Sequence, residues 1–213
     1  PLCLVGSEMC IRDRNKIKWA CSARKAGHAG TLDPSATGIL AIALGEATKT
    51  IPYVTEQIKS YTFEVKWGEA TDSDDSDGKI IHTSQMRPSE QDITAILPRF
   101  RGEIKQTPPF FSAVKINGRR AYELARSGED FDIASRSLFV SSLKLEKYIS
   151  ENSAILSLEC GKGGYVRSIA RDLGLELGCY GHVKWLRRIA SGSFNLSMAV
   201  SYTHLRAHET QRY

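Results

Sequence analysis

Residues 27–40 read GHAGTLDPSATGIL and are the most informative part of the sequence. They hold a histidine, three glycines and one carboxylate, and they run into an apolar segment. Glycine lets the main chain turn tightly or approach a ligand without steric penalty. Asp33 followed by Pro34 is typical of a helix or turn start, with the aspartate as N-cap and the proline as first helical residue. We therefore predict a helix that opens at Asp33 and holds its carboxylate at the edge of a rigid element.

Two interpretations of this stretch remain open from its residues alone. An aspartate before a proline is most often a structural cap, and a histidine beside glycines is most often a loop residue. The same residues would also suit an active site, because a fixed carboxylate is a common catalytic group. Only other parts of the chain can decide between a structural and a catalytic Asp33.

Composition sets the broad class of the protein. The chain has 213 residues, 41% apolar and 25% charged, which predicts an ordinary globular protein. No apolar run approaches the roughly 20 residues that span a bilayer, and no signal peptide is evident. The five cysteines contain no C-x-x-C pair, which favours thiols in a reducing cytoplasm over disulfides or a zinc site. A net charge of +5 favours a polyanionic partner.

The two ends of the chain differ from its interior. Residues 1–14 (PLCLVGSEMCIRDR) and 201–213 (SYTHLRAHETQRY) lack a clear apolar face, and the chain begins at Pro1 rather than at Met. Both ends resemble translated sequencing adaptors. We predict that they are non-native flanks that pack poorly, and that one domain spans residues 15–200 and is incomplete at its N-terminus.

The interior predicts an α+β fold. Apolar and polar residues alternate over residues 59–68, which predicts a strand with Tyr61 on its apolar face. Further strands are predicted over residues 139–148 and 154–160, and helices over 15–25, 47–54, 89–97 and 121–126, with a tight turn at Asn117-Gly118. The elements show no regular βαβ rhythm, so the class is α+β rather than α/β.

Two loops carry charge. Residues 71–78 (TDSDDSDG) resemble a calcium loop, but the twelfth position would be Ser84 instead of the required glutamate, so we predict a solvated loop and no metal. Residues 160–174 (CGKGGYVRSIARDLG) predict a strand, a glycine-rich turn and a helix that opens near Tyr165. Main-chain N–H groups at such a turn favour anions, and Lys162, Arg167 and Arg171 add positive charge.

Four separated stretches together resemble one family, the bacterial tRNA pseudouridine-55 synthases of the TruB family. They are GHAGTLDPSATGIL, KSYTFEVKWGEATDSDDSDG, QTPPFFSAVKINGRRAYELAR, and CGKGGYVRSIARDLG together with GHVKWLRRI. The resemblance covers residues 15–194 in family order. It implies a mixed, largely antiparallel sheet flanked by helices, and an isomerase that converts a uridine of the TΨC loop of tRNA to pseudouridine without metal or cofactor.

The resemblance implies three catalytic residues. Asp33 matches the family's essential aspartate, which acts as nucleophile. Tyr61 matches the tyrosine that stacks on the target base, although a tyrosine on the apolar face of a strand is also a normal core residue. Arg167 matches the arginine that pairs with the catalytic carboxylate.

The resemblance also implies substrate-binding residues. His28 matches the histidine that enters the TΨC stem-loop and fills the space of the flipped base. Tyr165 and Leu186 match positions that contact the substrate, and Lys162 is a candidate phosphate contact in the adjacent turn. Other basic residues join Lys162 as candidate phosphate contacts: Arg119, Arg120, Arg126, Arg171, Lys184, Arg187 and Arg188.

The sequence departs from the family pattern in three places. The family's Lys-Pro-x-Gly-x-Thr/Ser motif should precede Lys16, where residues 1–14 stand instead. Gly164 occupies a position where the family has threonine. We also find no C-terminal RNA-binding domain, so the chain is expected to be a fragment that can lack activity.

Three functional hypotheses remain. The first is a tRNA pseudouridine synthase that flips the target base and uses an aspartate nucleophile. The second is a non-catalytic tRNA-binding protein or chaperone of the same fold. In the third, Asp33 is a helix cap and Tyr61 a core residue. The first hypothesis is the one that we carry forward, with a monomer acting in the cytoplasm.

Overall fold

A computed structural model of the chain describes residues 2–5 and 10–201, with side chains over residues 13–199. The helices are α1 (Cys10–Ala20), α2 (Ile51–Glu56), α3 (Glu90–Ile96), α4 (Ala121–Ser127) and α5 (Val166–Glu176). The strands are β1 (Leu2–Val5), β2 (Ala26–His28), β3 (Thr37–Leu44), β4 (Lys59–Trp67), β5 (Glu69–Thr71), β6 (Ile80–Thr83), β7 (Gly102–Gln106), β8 (Lys115–Ile116), β9 (Arg119–Arg120), β10 (Arg136–Ser150), β11 (Ser153–Cys160), β12 (Gly181–Ser191), β13 (Phe194–Asn195) and β14 (Ala199–Ser201). Short 3₁₀ helices occupy Gly45–Thr50, Leu97–Phe100 and Leu196–Met198.

The fold is α+β, with a mixed, mostly antiparallel sheet flanked by helices, as the sequence predicts. The chain forms two compact units, of which the first holds residues up to Thr62 together with those from Leu186 onward. The second unit is Phe63–Trp185. No described helix is long and apolar enough to cross a membrane.

Strand β3 is the centre of the first unit. It pairs antiparallel with β1 and β2, and its first residues pair in parallel with Arg187 and Arg188 of β12. Its residues from Gly38 to Ala43 are all buried, and a continuous apolar run is typical of a strand with neighbours on both edges. The main chain of β1 takes part in this pairing; the side chains of residues 1–12 and all of residues 202–213 lie outside the described residues, so the predicted poor packing of the ends remains a prediction there.

The predicted helix start at Asp33 is wrong. Residues 33–36 form a turn in which the Ala36 N–H donates to the carbonyl of Asp33 at 3.0 Å, and strand β3 follows at Thr37. Proline suits the second position of a turn as well as the start of a helix, so the Asp-Pro pair is ambiguous. The backbone at Gly38, with φ of 103°, is incompatible with a helix that runs from Asp33 through this residue.

The second unit is antiparallel around β10. Strand β10 pairs with β7 on one edge and with β11 on the other, and β4 and β12 continue the sheet beyond β11. Phe63, Val65 and Trp67 on one face of β4 are at most 1% exposed, as the alternating pattern predicts. Its core also holds Leu143, Leu156, Leu158 and Ile169.

Short-range sequence patterns predict the capping box and a hairpin turn correctly, but not the end of the first helix. Ser89 caps α3 in a capping box with Asp92. Asn117 and Gly118 adopt φ of 49° and 86° in the turn between β8 and β9, as a type I′ hairpin requires. The helix predicted over residues 15–25 instead ends at Ala20, just before Ser22 adopts a positive φ of 48°.

Gly38 provides a test of how closely β3 and β12 approach. A Cβ at Gly38 would overlap the main chain of Arg188, whereas one at Gly45, which also has positive φ, would meet nothing within 4 Å. We expect Gly45→Ala to lower the free energy of unfolding by about 1–2 kcal/mol through backbone strain alone. Gly38→Ala should lower it by about 3 kcal/mol or more, because overlap adds to strain. Urea denaturation measures both, and equal losses would contradict the close approach.

Candidate active site

The turn that carries Asp33 is held by a buried arginine of the first unit. Arg188 is 1% exposed, and its Nε donates to the Ile39 carbonyl at 2.7 Å. Its Nη1 donates to the Thr31 carbonyl at 3.2 Å and its Nη2 to the Gly30 carbonyl at 3.5 Å. The prediction that Arg188 is a phosphate contact is therefore wrong. Side chains alternate along β12, so Arg188 points inward while Arg187 is exposed.

His28 ends β2 and is partly buried. Its Nδ1 is buried and has no hydrogen-bond partner among the described residues. Burial lowers the pKa of His28, and the positive charges of Arg14 and Arg188 lower it further, while a hydrogen bond to the Gly30 main chain opposes them. His28 is therefore a neutral imidazole at pH 7.

Leu186 and Tyr61 also belong to the first unit. Leu186 is 7% exposed, and its carbonyl accepts a hydrogen bond from Thr37 Oγ1 at 3.5 Å, at the end of the Asp33 turn. The structure thus brings Leu186 and the Asp33 turn together. Tyr61 is 8% exposed on the same face of β4 as Phe63, a burial that suits both a core residue and the wall of a site.

Tyr165 stands at the N-cap of α5 in the second unit. The side chain of Gln106, 3% exposed, donates from Nε2 to the Tyr165 carbonyl at 3.1 Å and accepts from the Tyr165 N–H at 2.9 Å. These two hydrogen bonds between Gln106 and the main chain of Tyr165 fix the start of α5. Lys162 is exposed in the preceding turn, where a phosphate could reach it.

Arg167 is 5% exposed and has main-chain and acidic partners in the second unit. Its Nη1 donates to the Ser73 carbonyl at 2.9 Å, and its Nη2 donates to the Phe111 carbonyl at 3.1 Å. The Asp75 carboxylate lies 3.7 Å from Nη1. Asp33 belongs to the first unit, so the pairing of Arg167 with Asp33 remains a prediction.

The acidic loop is not the solvated loop that the sequence predicts. Asp74 and Asp75 are 8% and 9% exposed, and Asp74 forms an ion pair with Arg171 at 2.9 Å. Arg167 and Arg171 stand four residues apart, on one face of α5, and both reach this loop. The arginines that bury the loop lie 94 and 97 residues away in the chain, beyond the reach of a local sequence pattern. Arg171 therefore has structural partners in the second unit, and its role as a phosphate contact stays a prediction.

The sequence did not predict the structural roles of three residues in this arrangement: Gln106, Asp74 and Asp75. The spacing of the two arginines on α5, opposite a loop of four aspartates, is the signal that could have found the last two. Among the described residues, no group of three or more His, Cys, Asp or Glu side chains could hold a metal ion.

Gly164 is explained by its neighbour. A Cβ at Gly164 would lie 2.5 Å from Cys160 Sγ and 3.2 Å from a methyl group of Leu138. The threonine expected here from the resemblance would therefore collide with the thiol. Gly164 and Cys160 form a matched pair in the turn before Tyr165.

Comparison with known proteins gives a consistent result. Residues 18–166 match the N-terminal domain of the TruB family of pseudouridylate synthases, and residues 167–212 match the C-terminal domain of tRNA pseudouridylate synthase B. The tRNA pseudouridine synthase B of Cereibacter sphaeroides is 58% identical over 88% of this chain and 62% of that protein. The enzyme of Ruegeria pomeroyi is 55% identical over 91% of this chain and 64% of that protein. The chain thus spans less than two thirds of these relatives.

Solved structures share the fold. The crystal structure of a Cbf5-Nop10-Gar1 complex matches 95% of this chain and 51% of the other chain, with a TM-score of 0.71 and 26% identity. An archaeal box H/ACA Nop10-Cbf5 complex matches 99% of this chain and 54% of the other with the same TM-score and 22% identity, which supports the fold alone.

Asp74 makes the stability of the fold depend on pH. Burial raises its pKa to about 6, against the opposing charges of Arg171 and Arg167. The folded state binds the Asp74 proton more tightly than the unfolded state does. Protonation of Asp74 therefore contributes fully to the free energy of unfolding below pH 4, and this contribution is lost as the pH rises through 6.

We expect the wild type to lose about 3 kcal/mol of unfolding free energy relative to Asp74→Asn between pH 4 and pH 7. Urea denaturation at four pH values measures this difference. Asp77→Asn, the same change at an exposed residue of the same loop, is the matched control. A difference independent of pH would contradict the shift.

The Gly164–Cys160 pair can be tested by a double-mutant cycle. We expect Gly164→Ala to cost about 1–3 kcal/mol through overlap with the thiol. When Cys160→Ala removes the sulfur, the cost of Gly164→Ala should fall by about 1 kcal/mol or more. Gly161→Ala is the matched control, because its Cβ would meet Phe139 at an ordinary 3.7 Å. Additive costs in the double variant would show that the pair is not coupled.

Proposed function

Because this chain belongs to the TruB family of pseudouridylate synthases, we propose that it converts a uridine to pseudouridine in the TΨC loop of tRNA. The observation that carries the proposal is the Asp33 turn, which lies within the matched family region and is held on both sides by hydrogen bonds from the Arg188 side chain to main-chain carbonyls. A carboxylate on a fixed turn is what a nucleophile requires, and a disposable surface loop would not be held in this way.

The first step is extrusion of the target nucleotide. Removing a base from its stack costs a few kcal/mol, which stacking on Tyr61 would offset by about 1–3 kcal/mol. His28 would fill the space that the base leaves. As a neutral imidazole it can enter a base stack without the cost of burying a charge.

The second step is the chemistry at the nucleoside. The N1–C1′ bond breaks, the base turns, and C5 joins C1′. The carboxylate of Asp33 attacks either C1′ of the sugar or C6 of the base, and its bond to the nucleoside breaks again once C5 has joined C1′. C5 then loses its proton, for which Tyr61 is the proposed relay, and N1 gains one, so that the reaction is a net isomerisation. Arg167 would favour the ionised carboxylate, because an adjacent guanidinium stabilises negative charge.

The geometry of the second unit supports its proposed role in binding. The main chain of Tyr165 is fixed by Gln106 and the guanidinium of Arg167 by two carbonyls, so these groups need not be ordered when the RNA arrives. Lys162 and Arg187 are exposed and are proposed as phosphate contacts, with Leu186 against the substrate. Phosphate contacts of this kind position the RNA, whereas its folded loop would give selectivity.

The wider setting is part of the same proposal. We take residues 15–200 as the catalytic region, acting as a monomer on the TΨC stem-loop in the cytoplasm. The described cysteines form no disulfide, which suits a reducing compartment.

Asp33→Asn tests the nucleophile. With unmodified tRNA, we expect pseudouridine formation to fall by about a thousandfold or more, since an amide cannot form the covalent bond. Chemical mapping of pseudouridine measures the product, with the Cereibacter sphaeroides enzyme as positive control.

The tRNA dissociation constant and the melting temperature of Asp33→Asn should stay close to wild type. Asp77→Asn, the same change at an exposed aspartate, should keep full activity. Product at the wild-type rate from Asp33→Asn would exclude the nucleophile. Binding of tRNA by the wild-type chain without product would instead favour a non-catalytic binding protein.

A further inference from the structure

Arg188 is buried in a way that demands an explanation. Arginine is almost never fully buried unless it is paired, because a buried charge is costly. Arg188 is 1% exposed, yet its hydrogen bonds within the described part of the chain go to main-chain carbonyls and none goes to a carboxylate. A carbonyl dipole compensates a cation less well than a carboxylate does. An aliphatic residue would fill the same space without this cost, so the guanidinium must serve another purpose.

The three carbonyls bracket Asp33. Those of Gly30 and Thr31 precede it, and that of Ile39 follows it. One rigid, planar guanidinium therefore joins the two limbs of the turn. Lysine could not replace it, because an ammonium presents a single point of charge without the fixed fork of five N–H donors.

The main chain of Arg188 also supports the segment that follows Asp33. Arg188 pairs in parallel with Gly38, which has a positive φ of 103° and no room for a Cβ against the Arg188 main chain. Side chain and main chain of one residue thus fix the segment from Gly30 to Ile39. The carboxylate of Asp33 stands near its middle.

We propose that Arg188 is the positioning residue for Asp33, holding the turn so that the carboxylate meets the flipped nucleoside at a fixed point. The inference rests on the proposed role of Asp33 as nucleophile. Misplacing a reacting group by about 1 Å can cost a hundredfold in rate. Arg188 acts through the main chain and touches neither the RNA nor the reacting atoms.

Arg188→Lys and Arg188→Met separate this role from others. Lysine keeps the charge, and methionine keeps apolar volume without charge. In single-turnover reactions at saturating enzyme, we expect both to lower the rate of pseudouridine formation by about a hundredfold. The tRNA dissociation constant should stay within threefold of wild type. Arg24→Lys, an exposed arginine of the same unit, is the control and should leave rate and binding unchanged.

Amide hydrogen exchange supplies a readout that does not depend on activity. Both Arg188 variants should exchange faster than wild type across residues 30–39, with the rest of the chain unchanged. Arg188→Lys decides the question if Arg188→Met does not fold.

Three results would overturn the inference. The first is unchanged exchange across residues 30–39, and the second is a wild-type rate in Arg188→Lys. The third is a loss of rate that comes with faster exchange throughout the chain, which indicates a purely structural residue. If the wild-type chain forms no pseudouridine, the proposed function fails, and the exchange measurement alone then decides whether Arg188 holds the turn.

Discussion

A buried guanidinium that finds its partners among main-chain carbonyls is the interaction on which the candidate site depends. Arg188 does this in the first unit, and Arg167 in the second donates to two carbonyls with the Asp75 carboxylate also within 3.7 Å. Each of these arginines avoids two unfavourable contributions to the free energy of folding. A buried cation needs acceptors, and carbonyls that lie outside the strands and helices, such as those of Thr31 and Ser73, need donors that regular structure does not provide. The segments that carry candidate residues are therefore fixed without being part of regular structure, which leaves their side chains available for a substrate.

This constraint acts on the small residues around each arginine. Gly38 is needed because β3 and β12 approach too closely for a Cβ, and that approach carries the Arg188 side chain to the Ile39 carbonyl. Gly164 is needed for another reason, since its φ is not positive and a Cβ there would overlap the thiol of Cys160 and crowd Leu138. Gly38 is required by the geometry of the turn. At position 164, in contrast, a small turn residue compensates for the space that the side chain of Cys160 fills.

The sequence was a good guide wherever the interaction is local. The strand β4, the capping box at Ser89 and the Asn117-Gly118 hairpin each follow from a few adjacent residues. The helix predicted at Asp33-Pro34 is wrong because the pair suits both a turn and a helix, and the choice depends on the pairing of β3 with residues of β12 that lie 150 positions away in the chain. The predictions of a solvated acidic loop and of Arg188 as a phosphate contact were wrong for the same reason. A charged residue is predicted to be exposed until its distant partner is known. The family resemblance supplied site residues that composition and spacing could not, and their roles remain proposals.

A short side chain explains why main-chain rigidity matters so much at this turn. Aspartate has only two side-chain torsions, so a shift of its main chain moves the carboxylate by nearly the same distance. A glutamate or lysine nucleophile could compensate by changing rotamer, whereas Asp33 cannot. The target base, in contrast, must detach, rotate and rejoin the sugar within the same site. One partner of this reaction has to move, so the other has to be held, and the structure holds it through the carbonyls on both sides of Asp33. The expected helix would have offered a macrodipole at its start; the observed turn has a full guanidinium charge on the carbonyls that precede Asp33.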